Sequence, residues 1–152
     1  MEKYYGCAQT TLAAAADTLN MEADDVFKAL IGISGGVGGM GLGECGGMCG
    51  AAAAISFRFG HNPKEFAQKP ETRFKIYDLV EKVCKKFLEE YGSLICRDIQ
   101  MKLFGMAFNL RDPKIYEEFT RIRSKEDPCP KVTGKAAGWA VEAILEAEEK
   151  NE

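Results

Sequence analysis

A run of glycine between residues 32 and 50 constrains this chain more than any other feature. Ten of these nineteen residues are glycine, which loses more backbone entropy on ordering than any other residue and so disfavours both helix and strand. The run ends at Cys49-Gly50, and four alanines follow, which strongly favour a helix. The sequence therefore predicts a long glycine-rich loop that leads into a helix from about Cys49.

The glycines also allow the backbone to approach a bulky group closely. A loop of this composition can turn its N–H groups inward and form a nest that binds an anion. Gly36-x-Gly38-x-x-Gly41 also matches the dinucleotide-binding pattern, but a helix, not a strand, is predicted before it. Nucleotide binding is therefore not expected. The alternatives for the group that the loop backbone approaches are an anionic cluster, a phosphate and a neighbouring helix.

Apolar residues recur at helical spacing through most of the remaining chain. No run of alternating β-branched residues competes with this pattern, and the polar segment 61–71 is predicted to be a connector. We expect a single all-α domain over residues 1–152, built as a bundle of about four main helices with short accessory helices. Helices are predicted at 3–19, shortly after Asn20, from about Cys49 to 60, at 71–90, from about Cys96, from Pro113 and from Pro130.

Charge and hydropathy exclude two classes of partner. Acidic residues outnumber basic ones by 23 to 20, and the chain has no stripe of Lys and Arg with interleaved aromatic residues, so no nucleic acid is expected. The first residues lack a basic segment followed by an apolar one, and the apolar runs are shorter than the roughly 20 residues of a spanning helix. The sequence therefore predicts a cytoplasmic protein that does not enter the membrane.

Six cysteines are many for a chain of this length without an export signal. In a reducing compartment such cysteines indicate metal binding or redox chemistry rather than a disulfide framework. Histidine occurs once, at His61, so sulfur would supply most ligands of any metal. The cysteines are Cys7, Cys45, Cys49, Cys84, Cys96 and Cys129.

Four of these thiols fall at or near a predicted helix start: Cys7, Cys49, Cys96 and Cys129. The unpaired N–H groups of a helix N-terminus favour thiolate over thiol and suit an anionic iron–sulfur cluster. Cys84 instead shares the apolar face of a predicted helix, where packing is expected. Cys45 lies in the glycine loop, and it stays open whether it is a spare ligand, a resolving thiol or incidental.

The chain also resembles a known family in five segments spread over nearly its whole length. These segments are "CAQTTLAAA" from Cys7, the glycine run with "GGMG", "CGAAAAI" from Cys49, "YGSLICRDI" around Cys96 and "CPKVTGKAAGWAVEAI" from Cys129. In them the sequence is similar to the C_GCAxxG_C_C family of redox-active proteins, whose pattern maps onto Cys7, Cys49, Cys96 and Cys129. The resemblance implies redox activity carried by the cysteines and iron–sulfur binding, without a defined reaction.

We therefore expect an electron-transfer or accessory protein that binds an iron–sulfur cluster through cysteines on separate helices. Cys7, Cys49, Cys96 and Cys129 are the expected cluster ligands, and Cys45 is a further candidate metal ligand. A metal-free thiol–disulfide protein and a scaffold with structural zinc are the alternatives. A redox partner protein is expected, whereas enzymatic activity and self-association stay open.

Overall fold

A computed structural model describes residues 4–123 and 127–150, and this part of the chain is built from helices and loops. No β-strand occurs in these two ranges, so the predicted all-α class is confirmed. None of their helices is long and apolar enough to cross a membrane. The helices are α1 (Cys7–Leu19), α2 (Asp24–Ala29), α3 (Gly46–Phe59), α4 (Pro63–Gln68), α5 (Arg73–Tyr91), α6 (Cys96–Phe104), α7 (Pro113–Arg123) and α8 (Cys129–Glu149).

The core lies between α1, α3, α5 and α8, which pack against one another as the main bundle. Each contributes at least one side chain that is almost completely buried: Leu12, Ile55, Phe87 and Ile144. Phe87 of α5 also meets the ring of Trp139 of α8 edge to face, with ring centroids 5.4 Å apart. Much of the remaining core is alanine, which lets the helix axes come close.

The contact between α1 and α3 depends on two glycines of α3. A Cβ atom at Gly50 would lie 2.3 Å from the carbonyl oxygen of Ala8, and one at Gly46 would lie 2.2 Å from Cys7 Sγ. Both distances are far inside van der Waals contact, so only glycine fits at these positions. As a result, the thiol of Cys7 rests directly against the beginning of α3.

The glycine-rich loop before α3 is held by its own hydrogen bonds. Gly38 N–H donates to the Gly32 carbonyl over 2.8 Å, and Gly41 N–H donates to the Gly35 carbonyl over 2.9 Å. These donors are therefore not turned inward to bind an anion, and for them the expectation of a nest is wrong. The left-handed φ values that only glycine adopts without strain occur at Gly35, Gly36, Gly38, Gly39 and Gly41, and also at Val37.

The same loop is tied to the beginning of α6. Cys96 N–H donates to the Gly43 carbonyl and Arg97 N–H to the Gly41 carbonyl, each over 2.9 Å. Cys45 N–H donates in turn to the Leu94 carbonyl over 2.7 Å. These bonds hold two cysteines that are distant in sequence, Cys45 and Cys96, on the same side of the bundle.

Three predicted boundaries differ from the structure. The third helix begins at Gly46 rather than at about Cys49, because packing against α1 stabilises its two glycines in a helical turn. The predicted connector 61–71 contains α4, whose first residue Pro63 follows an Asn62 cap completed by Glu65. The first helix was predicted from residue 3, which lies outside the described residues, and α1 begins at Cys7.

Replacing Gly50 by alanine is expected to destabilise the fold by about 1–3 kcal/mol, because the added methyl group overlaps the Ala8 carbonyl. Denaturant unfolding followed by circular dichroism measures this change. Gly138 is the matched control, since it is an exposed glycine inside α8 with nothing within 4 Å of an added Cβ. Gly138→Ala should raise the free energy of unfolding by up to about 1 kcal/mol. Equal effects of the two substitutions would contradict the proposed contact.

Candidate functional site

Four cysteines line a single cavity of about 240 Å³. Cys7, Cys96 and Cys129 are the first residues of α1, α6 and α8, and Cys45 is the N-cap of α3. The N-termini of four helices therefore meet around this cavity. Cys45 and Cys96 are buried, whereas Cys7 and Cys129 are half-buried.

Local contacts fix each of these thiols. Cys7 Sγ rests against Gly46 and accepts a hydrogen bond from Gly35 N–H over 3.3 Å. The glycine loop touches Cys96 closely, because a Cβ at Gly36 would lie 2.7 Å from Cys96 Cβ. Cys129 N–H donates to a carboxylate oxygen of Asp127 over 3.1 Å, which anchors the start of α8.

Cys49, one of the predicted ligands, does not line the cavity. It lies in the first turn of α3, where its N–H donates to the Cys45 carbonyl over 3.0 Å. Its sulfur lies 3.9 Å from the Glu44 carboxylate. Cys45, the further candidate ligand, lines the cavity, whereas Cys49 does not.

Cys84 and His61 also lie away from the cavity. Cys84 packs against the core, with its sulfur 4.0 Å from the sulfur of Met48. His61 faces Glu65, with 3.7 Å between Nδ1 and the carboxylate. In the part of the chain that the structure describes, Cys7, Cys45, Cys96 and Cys129 are the cysteines that line the cavity, and His61 does not line it.

Burial raises the pKa of three of the cavity thiols, those of Cys45, Cys96 and Cys129. It raises the pKa of Cys45 to about 11, with repulsion from Cys7 as the second cause. It raises the pKa of Cys129 to about 12, helped by the Asp127 carboxylate, and it also raises the pKa of Cys96. These thiols are therefore protonated at neutral pH unless a cation compensates their charge.

The raised pKa values of these thiols correct the expectation that a helix N-terminus favours the thiolate. The N–H groups of Gly47 and Met48 do lower the pKa of Cys45, as a helix N-terminus should. Burial acts in the opposite direction and is the larger effect. The same holds for Cys49. Burial and the Glu44 carboxylate raise the pKa of its thiol to about 12.

The arrangement of the thiols bears on which cofactor they could hold. Within 4–123 and 127–150, no three His, Cys, Asp or Glu side chains are grouped to hold a metal ion. A single zinc draws four sulfurs to about 2.3 Å from itself, whereas an iron–sulfur cluster spreads four thiolates around several iron and sulfide atoms. The four cysteines of the cavity match the number of thiolates that such a cluster takes.

The rest of the cavity wall comes mainly from α6, α7 and the segment between them. It includes Ile99, Leu103, Leu110 and Phe119, and Gln100, whose side-chain oxygen accepts a hydrogen bond from Phe108 N–H over 2.9 Å. Arg123, at the end of α7, also lines it. The sequence analysis did not single out these residues, because helical periodicity gives their spacing but not the partner that their face covers.

The fold and the site define an all-α protein with a cysteine-lined cavity. The sequence model of the family described as "Putative redox-active protein (C_GCAxxG_C_C)" matches residues 5–143. The chain belongs to this family, as its resemblance predicted. No curated protein and no solved structure matches the chain.

The stability of the reduced, metal-free protein is expected to fall between about pH 9 and about pH 11. The folded pKa of Cys45 is about 11 against an ordinary value of 9.0, so in this window the unfolded chain binds fewer protons than the folded one. Its free energy of unfolding then decreases as the pH rises. Urea unfolding at several pH values measures this, and Cys45→Ala should show a shallower decrease. The same decrease in wild type and in Cys45→Ala would contradict the assignment of this pH dependence to Cys45.

Proposed function

We propose that this protein is an electron-transfer or redox accessory protein that holds an iron–sulfur cluster in its cysteine-lined cavity. The convergence of four cysteines from four helix starts on one cavity carries the proposal. The proposed thiolate ligands are Cys7, Cys45, Cys96 and Cys129. A bound cluster supplies one-electron transfer.

Electrostatics supports this ligand set. The protons of the buried thiols must leave when they bind a cofactor, which happens when positively charged iron replaces them. Each helix N-terminus adds about half a positive charge near the cavity, which offsets part of the ligand charge. Arg123 adds the only formal charge among the described residues of the cavity wall.

The surroundings of the sulfurs also suit a redox centre. Cys45 and Cys96 are 8% and 7% exposed, so ligands at these positions are shielded from water. The hydrogen bond from Gly35 N–H to Cys7 Sγ is of the kind that raises the potential of a cluster. Since such a protein passes electrons on, we infer a redox partner protein, and a reducing, cytoplasmic environment suits its six free thiols.

A metal-free thiol–disulfide function is the second candidate, favoured by the contact of Cys7 Sγ with the residue next to Cys45. Oxidation of these two thiols to a disulfide would release two electrons and two protons. The raised pKa of Cys45 leaves little thiolate to react at neutral pH, so the cluster remains the better-supported function.

Serine substitutions test the ligand set. Anaerobically purified wild type is expected to be brown, with visible absorbance that dithionite bleaches. Cys45→Ser and Cys129→Ser should lose most of this absorbance, because each removes a thiolate ligand. Cys49→Ser and Cys84→Ser are the matched controls and should keep it, since neither side chain lines the cavity.

Three results would count against the proposal. Equal loss of colour in all four variants would contradict the division between ligands and controls. A colourless protein whose free thiol count changes between oxidised and reduced samples would favour the disulfide couple. A colourless protein with one tightly bound zinc would favour a structural scaffold.

A further inference from the structure

The cavity has a second region besides its cysteines. Exposure increases from Cys45 and Cys96, which are buried, to Tyr116 on α7, which is 55% exposed. Leu110 and the ring of Phe119 lie on the wall with them. Tyr116 therefore marks the open side of the cavity, whereas Phe119, which is 6% exposed, is as buried as the two cysteines.

The wall of the cavity carries one formal charge. Arg123 is the only charged residue among the described residues that line the cavity, and its side chain is 26% exposed. Its guanidinium carbon lies 5.2 Å from the centre of the Phe119 ring. A cation beside an aromatic wall suits a ligand with a flat apolar body and an anionic group.

Asp127 fixes Arg123 from behind. One of its carboxylate oxygens is paired with Arg123 Nε, and the other accepts the N–H of Cys129 at the start of α8. Asp127 does not line the cavity. Asp127 thereby holds the guanidinium at the cavity wall, while its own charge also reaches the cavity and raises the pKa of Cys129.

Cavity size limits the ligand. The volume of about 240 Å³ is below the range of roughly 300–1,000 Å³ that holds drug-sized molecules. Part of this volume belongs to the cysteine end. A cavity of this size suits a molecule with a single aromatic ring rather than a larger ligand.

We propose that the part of the cavity wall formed by Leu110, Tyr116, Phe119 and Arg123 is a binding site for a small aromatic monoanion. The anionic group pairs with the guanidinium, and the ring packs against Leu110 and Phe119. The inference rests on the proposed function only in placing this ligand beside a redox centre. The binding itself depends on the cavity wall.

Calorimetric titration of the anaerobically purified protein tests the site with two probes. para-Nitrobenzoate has the ring and the charge, and para-nitrobenzamide has the same ring without the charge. The charged probe is expected to bind at least about tenfold more tightly, which is the gain of a charge-assisted over a neutral hydrogen bond. Inorganic phosphate, which has no ring, should bind more weakly than para-nitrobenzoate.

Variants at the end of α7 separate charge from packing. Arg123→Met should reduce the affinity for para-nitrobenzoate to that for the amide, and Arg123→Lys should restore most of it. Arg121→Met is the control, because Arg121 lies on the same helix outside the cavity wall. It should bind both probes like wild type.

Equal affinity for both probes, or unchanged para-nitrobenzoate binding in Arg123→Met, would overturn the proposed site. Failure of Arg123→Lys to recover binding would also count against the proposed site. In that case the loss of affinity in Arg123→Met would come from altered packing and not from the lost charge. Visible absorbance recorded on the same samples reports the cluster separately. A brown protein without probe binding refutes this inference alone, and a colourless protein that binds the probe refutes the proposed cluster alone.

Discussion

The close contact between α1 and α3 is the constraint on which the rest of the site depends. Gly50 admits the Ala8 carbonyl and Gly46 admits the Cys7 thiol, so that the first turns of both helices meet. Without these two glycines the helices would have to separate, and Cys7 would move away from Cys45. The composition of the chain, rich in glycine just before α3 and in alanine along it, thus serves the geometry of the cavity.

The cavity sets burial against helix electrostatics. Helix N-termini stabilise negative sulfur, but burial raises the pKa of Cys45 by more than the nearby N–H groups lower it. Burial also raises the pKa of Cys129. The protons of these thiols must leave when a positively charged, thiophilic metal centre binds the sulfurs. In the proposed cluster-bound protein, iron would take the charge that burial disfavours on the free thiolates.

Much of the fold could be predicted from local sequence, and part of the site could not. Helical periodicity and the prolines Pro113 and Pro130 predicted the all-α class and most elements, because these signals are local. The choice between Cys45 and Cys49 depends on where α3 begins. Glycine disfavours a helix locally, and only packing against Ala8 and Cys7 reveals why α3 begins at Gly46. Arg123 and Phe119 escaped notice because their part in the cavity is set by tertiary structure.

The content of iron and acid-labile sulfide in anaerobically isolated protein tests the central claim most directly. The account predicts that both are bound in similar amounts per chain, and that they remain bound when Cys49 is replaced by serine. Protein prepared in the same way that contains neither iron nor sulfide, or that contains zinc in their place, would contradict it.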